Sequence, residues 1–171
     1  MMFLMRVFYF ILLLGIVGVS QSCQQQKNQY LVGYKASDVY LHYQKKGFQL
    51  DSGLRTFLRN SKKIREWALK KEVKIEEYTI LVYGDAEEKL EKIVLAVNFK
   101  ENAQKRTIST ENKVFFEDFI QNHYKGSKPN ELQTWLKNNL GVESRFKDEN
   151  TDFYTALDKH TNSLFLALHP L

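Results

Sequence analysis

Apolar side chains run without a charge from Val7 to Val19, broken only by Gly15 and Gly18, and beyond residue 30 they recur instead at helix or strand spacing. Ser37 to Lys46 reads as a short helix: Ser37 is the expected cap, Val39, Tyr40 and Tyr43 share a side, and Gly47 is the stop. Phe48 to Asp51 is expected to be extended. From Leu54 to Lys71 the pattern predicts a longer helix, with Leu54, Phe57, Leu58, Ile64, Ala68 and Leu69 on one face and Trp67 at its edge. Lys74 to Tyr83 and Leu90 to Phe99 are dense in β-branched and aromatic residues around Gly84 and Asp85, which predicts a hairpin, although the charges of Glu87 to Lys92 also suit a helix start.

Arg106 to Ser109 adds an expected short strand. Phe115, Phe116, Phe119, Ile120 and His123 then follow helical spacing up to Gly126. Ser127 and Pro129 open another helix, with Leu132, Trp135, Leu136 and Leu140 as its apolar face and Gly141 as its end. Three strands follow, Val142 to Lys147, Phe153 to Leu157 and Leu164 to His169, joined by turns at Asp148 to Asn150 and Lys159 to Asn162. The expected fold class is α+β, with helices packed on a mainly antiparallel sheet. The order also suggests two ααβββ halves meeting near Glu111, a repetition of pattern without residue identity. In arrangement alone it resembles the two-helix-plus-sheet modules of small periplasmic lipoproteins, such as the outer-membrane assembly factor class, and the β-lactamase-inhibitor-like fold.

The leading segment carries one charge, Arg6, before its apolar run and ends in Ser20, Gln21, Ser22 and Cys23. A charged start, a short apolar core and a small-residue exit form a secretory signal. The run is short for a membrane span, which takes about 20 residues. Cys23, the only cysteine, stands where a lipobox has its acylated residue. With Ser22 before it, the exit resembles the lipobox of bacterial lipoproteins, while Ser20 and Gln21 depart from the usual aliphatic and small residues. The resemblance implies a diacylglyceryl group on the Cys23 sulfur, cleavage before it, and a partner membrane reached through that lipid anchor. A free thiol in a secreted chain and an uncleaved signal anchor are the alternatives.

The expected organisation is therefore a signal peptide over residues 1–22, an acylated cysteine with a polar tether over 23–30, and one domain over 31–171. Gln24 to Gln29 contain no apolar residue to bury, so they read as a flexible spacer. By resemblance to lipoprotein sorting rules, Gln24 in place of Asp points to the bacterial outer membrane, on the leaflet facing the periplasm. With one cysteine there is no internal disulfide, and apolar burial must stabilise the domain.

The chain carries 25 Lys and Arg against 20 Asp and Glu, a net charge of +5, with a pI near 9.1. Export makes nucleic acid an unexpected partner despite this excess, which leaves anionic lipid headgroups or an acidic protein partner. On the expected helix over 54–71, Arg55, Arg59, Lys62, Lys63 and Lys70 fall within one arc opposite the apolar face, making them the candidate contacts for such a surface. A solvated outer face is the plainer reading.

Catalytic and cofactor motifs are missing: there is no HExxH, CxxC, GxSxG, Walker loop or GxGxxG. His42, His123, His160 and His169 lie in four separate segments, and His123 reads as a satisfied residue at the core edge. Asp148, Asn150 and Asp152 match the opening of a calcium loop, but Phe153 and Lys159 occupy its glycine and glutamate positions, so a hairpin turn is expected. The acid pairs Glu76 with Glu77 and Glu117 with Asp118 carry no glycosidase signature. No metal or cofactor is expected. The function expected is a non-enzymatic envelope lipoprotein that binds a protein partner or supports envelope assembly, with Tyr30, Tyr34 and Tyr40 as a candidate exposed patch. An envelope enzyme, or a ligand-binding or inhibitory lipoprotein, is the alternative.

Overall fold

The computed structural model describes residues 29–51, 55–59, 62–73, 76–100 and 108–171. The expected signal peptide, Cys23 and most of the expected tether lie outside the described residues. Helix α1 (Ala36–Lys45) is followed by strands β1 (Gln49–Leu50), β2 (Arg55–Arg59), β3 (Lys62–Val73), β4 (Glu76–Ala86) and β5 (Lys89–Phe99). Two helices, α2 (Thr110–His123) and α3 (Pro129–Asn139), lead into β6 (Ser144–Lys147), β7 (Thr151–Asp158) and β8 (Ser163–Pro170). The strands form one open sheet in the order β1, β3, β4, β5, β8, β7, β6, and β1 and β2 lie end to end along the same edge of β3. All these pairs are antiparallel. The final meander thus returns to pair β8 with β5, which makes the two runs of strands a single mixed α+β unit.

The hairpin expected from Lys74 onward is present as β4 and β5, turning at Glu87 and Glu88 rather than opening a helix. The register shifts at Tyr83, Gly84 and Ala86. Gly84 is needed at this bulge, because a side chain there would run into the Lys89 carbonyl and the Leu90 side chain. The three closing strands also occur as expected. Ile108 and Ser109, the described part of the short strand expected before α2, are not extended into the sheet; Ser109 caps α2 instead.

The expected helix over 54–71 is overturned: Arg55–Arg59 and Lys62–Val73 are two paired strands. Trp67 and Leu69 join the core cluster, while Ile64 and Ala68, of opposite parity, are buried outside it. A strand buried on both faces loses strict alternation and imitates helical spacing. Nine register pairs with β4 then override the helix propensity of its Lys, Arg, Glu and Ala residues. The two ααβββ halves fall with this helix, since among the described residues the first half carries one helix and five strands while only the second has the expected order.

Local chemistry fixes the helix ends. Ser37 is not the cap of α1, which starts from Lys35 without a side-chain cap. At the other end, the Gly47 amide donates to the Gln44 carbonyl and the Phe48 amide to the Tyr43 carbonyl, both at 3.0 Å. This is a Schellman motif, and Gly47 supplies its left-handed residue at φ 83°. In α2, the Ser109 hydroxyl accepts from the Asn112 backbone amide at 3.1 Å and the Asn112 side-chain oxygen Oδ1 from the Ser109 backbone amide at 2.9 Å, a capping box with asparagine in the third position. Pro129 opens α3, where Leu132 and Leu136 are buried and the Trp135 indole donates to the Ser144 hydroxyl of β6 at 3.0 Å.

Asn112 is fully buried, and its side-chain amide also donates to Glu76 and to the Tyr78 hydroxyl, each at 2.9 Å. It therefore joins the start of α2 to β4 while leaving none of its own polar atoms unpaired. Asn112→Ala is expected to destabilise the protein by about 2–3 kcal/mol, the sum of a lost cap and orphaned buried partners. Urea unfolding measures this; a change below about 0.5 kcal/mol would show that the network does not anchor the helix.

Candidate functional site

A cleft of about 350 Å³ opens between the end of α1, the first turns of α2, the end of β3 and the start of β4. Its walls follow from the helix ends just described. The Schellman turn folds Phe48 back on Tyr43, with ring centroids 5.2 Å apart. Phe48 in turn stacks on Phe115 of α2 at 5.9 Å and 12° between planes, and Phe115 meets Tyr78 of β4 edge to face at 5.1 Å. Val73 and Val114 complete the apolar lining. Val114 is 55% exposed, an unusual position for a large aliphatic side chain.

Lys46, Lys71, Glu111 and Asp118 bring charge to this cleft. The Lys71 ammonium donates to the Lys46 carbonyl at 2.7 Å and lies 5.7 Å from the centre of the Phe48 ring. Asp118 receives the Lys46 ammonium on one oxygen and lies 3.1 Å from His42 Nε2 with the other. Asn122 also donates to Asp118, at 3.0 Å. Burial works to raise the Asp118 pKa, but the hydrogen bonds and charges of Lys46 and His42 outweigh it and hold the carboxyl below its usual range. Burial, reinforced by Asp118, pushes the Tyr43 hydroxyl well above its ordinary pKa.

Behind this group, His123 is 4% exposed and its ring stands edge-on to His42 at 4.8 Å. Contrary to the expectation of a satisfied residue, its Nε2 has no hydrogen-bond partner among the described residues. Burial, aided by the neighbouring His42, lowers its pKa to about 4. Sequence separation hid the grouping: His42 and Asp118 are 76 positions apart. In the sequence Glu117 and Asp118 read as an ordinary acid pair, and no local spacing marks either histidine.

The five basic residues proposed from a helical arc do not share one. Arg55 pairs in register with Glu66, Arg59 with Lys62, and Leu58 with Lys63. Lys63 and Lys70 are both exposed but of opposite parity on β3, so they project to opposite faces. Arg55 lies 3.7 Å from Asp51. The expected tyrosine patch is not an exposed one either. Tyr34 is buried, Tyr30 donates to Asp85 at 2.7 Å, and Tyr40 reaches Glu87 at 3.4 Å.

Asp148 and Asn150 lie in the turn between β6 and β7, with the Asp148 amide donating to the Thr151 carbonyl at 3.0 Å, while Asp152 stands in β7 opposite Lys147. The Asp148 carboxylate takes the Tyr124 hydroxyl and the Glu149 amide, and Asp152 takes Arg145 at 2.8 Å. Among the described residues, no group of three His, Cys, Asp or Glu could hold a metal.

The buried neutral His123 makes stability depend on pH. Its folded pKa of about 4 lies below the ordinary 6.5, so the unfolded chain takes up the proton first. Stability is expected to fall by on the order of 2–3 kcal/mol between pH 6.5 and 4, and His123→Phe to flatten that part of the profile. Urea unfolding across this range provides the check; parallel profiles for the two proteins would place the titrating group elsewhere. No family model, curated protein or solved structure matches this chain.

Proposed function

We propose that this protein is a bacterial envelope lipoprotein, acylated at Cys23, that works as a non-enzymatic binding module through the cleft between α1, α2, the end of β3 and the start of β4. In this reading the helices form a layer over one face of the sheet, and the aromatic rings joining α1, α2 and β4 are both core and cleft wall. The observation that carries it is the lining itself: Phe48, Phe115, Val73 and the exposed Val114 converge with a few charged groups in a space at the lower end of small-molecule sites. A partly uncovered apolar surface of this kind is favourable to cover.

The tether reading is compatible with how the domain begins. The Leu31 amide donates to the Leu90 carbonyl at 2.7 Å and the Ala36 amide to the Glu87 carbonyl at 2.9 Å, so the chain enters at the β4–β5 turn. The cleft lies at the other end of α1, a helix of 10 residues and so about 15 Å long. Anchor and binding site would thus be set apart by one helix length. The candidate address is the periplasmic leaflet of the outer membrane.

Two measurements separate the parts of this reading. Cys23→Ala is expected to abolish incorporation of labelled fatty acid in growing cells; unchanged incorporation would reject the anchor. Val114→Lys, at an exposed helical position, is expected to leave the melting temperature within about 2 °C and to weaken binding of a neutral apolar fluorophore at least tenfold. Unaltered fluorophore binding would remove the cleft from the account.

A further inference from the structure

The charges around the cleft are not equally matched. The Lys46 ammonium is held by Asp118, which also lies against His42. Lys71 is different: its ammonium hydrogen-bonds a neutral carbonyl, that of Lys46, and rests near the face of Phe48, with no acid partner among the described residues. A carbonyl and a ring face stabilise an ammonium without neutralising it. Next to it run Phe48, Val73, Phe115 and the exposed Val114.

From this juxtaposition we infer that the cleft binds an amphiphile with an aliphatic body and one terminal carboxylate, a free fatty acid of medium chain length, with Lys71 as the group that receives the carboxylate. This rests on the cleft reading above and adds the ligand class to it. The carboxylate would replace part of the water around Lys71 and form a charge-assisted hydrogen bond beside apolar walls, where such a bond is strengthened. The aliphatic body would cover Val114 and Val73, each buried methylene adding roughly 0.8 kcal/mol. Glu111 also lines the cleft; its charge opposes the carboxylate, so neutralising it should tighten binding. Lys46 is the poorer receptor because a ligand would have to compete with Asp118 for it.

The test uses the acylated full chain in phospholipid nanodiscs, decanoate bearing a photoreactive diazirine as the probe, and mass spectrometry to locate the crosslink. The expected result is labelling on the segment around Val114 and Phe115, displaced by unlabelled decanoate at least tenfold more effectively than by decanol or decylamine. Lys71→Glu and Lys71→Gln should each reduce labelling tenfold or more, Lys71→Arg should retain it, and Glu111→Gln should raise it. Equal displacement by decanol and decanoate would overturn the carboxylate assignment while leaving an apolar cleft in place. Labelling confined to other surfaces would overturn both. The competition arm needs no variant, so the inference stays exposed to failure even if a Lys71 substitution perturbs folding.

Discussion

Phe115 is the side chain on which the arrangement turns. It touches Phe48 and Tyr43 from the α1 end, Tyr78 from β4, and its own neighbour Phe116 on α2. Three of the four segments that wall the cleft meet at this ring, so the geometry that builds the core also builds the cavity. With one cysteine in the whole chain, no disulfide can substitute for this packing. Two polar devices set its position: the Schellman turn that delivers Phe48, and Asn112, which holds the start of α2 to Glu76 and Tyr78.

The charged groups divide by their distance from that aromatic centre. Asp118, His42, Lys46 and Asn122 satisfy one another at the cleft edge, so they cost little to hold close to the core. His123 is the exception, a neutral imidazole kept inside with one nitrogen unpaired among the described residues. Its burial between His42, Tyr43 and Phe119 offers packing in exchange for a penalty that grows as the solution becomes acidic. Lys71 is held by a carbonyl and a ring, so its charge remains expressed at the cleft.

Much of the second half was legible in the sequence, because its signals are local: the i, i+4 aromatic stripe of α2, Pro129 before α3, and turn residues around Asp148 and Asn162. The β4–β5 hairpin was equally plain from its β-branched residues and Gly84. What misled was the stretch from Leu54 to Lys71, where Trp67, Ala68 and Leu69 are consecutive and all buried. Strand pairing with β4, invisible to a short window, decides its conformation. The basic arc drawn on that helix disappeared with it. The cleft was not legible because its members come from residues 43 to 118, and only tertiary structure places Phe48, Tyr78 and Phe115 around one space.

The most direct test of the account is to map where an apolar ligand lands. Methyl and aromatic resonances of the isotopically labelled full chain, followed during titration with decanoate, should shift first at Phe48, Val73, Val114 and Phe115. Shifts confined to Leu81, Val94 and Phe165, which alternate to the sheet face opposite the Ile80, Leu95 and Leu166 core positions, would contradict it and move the binding surface to the other side of the sheet.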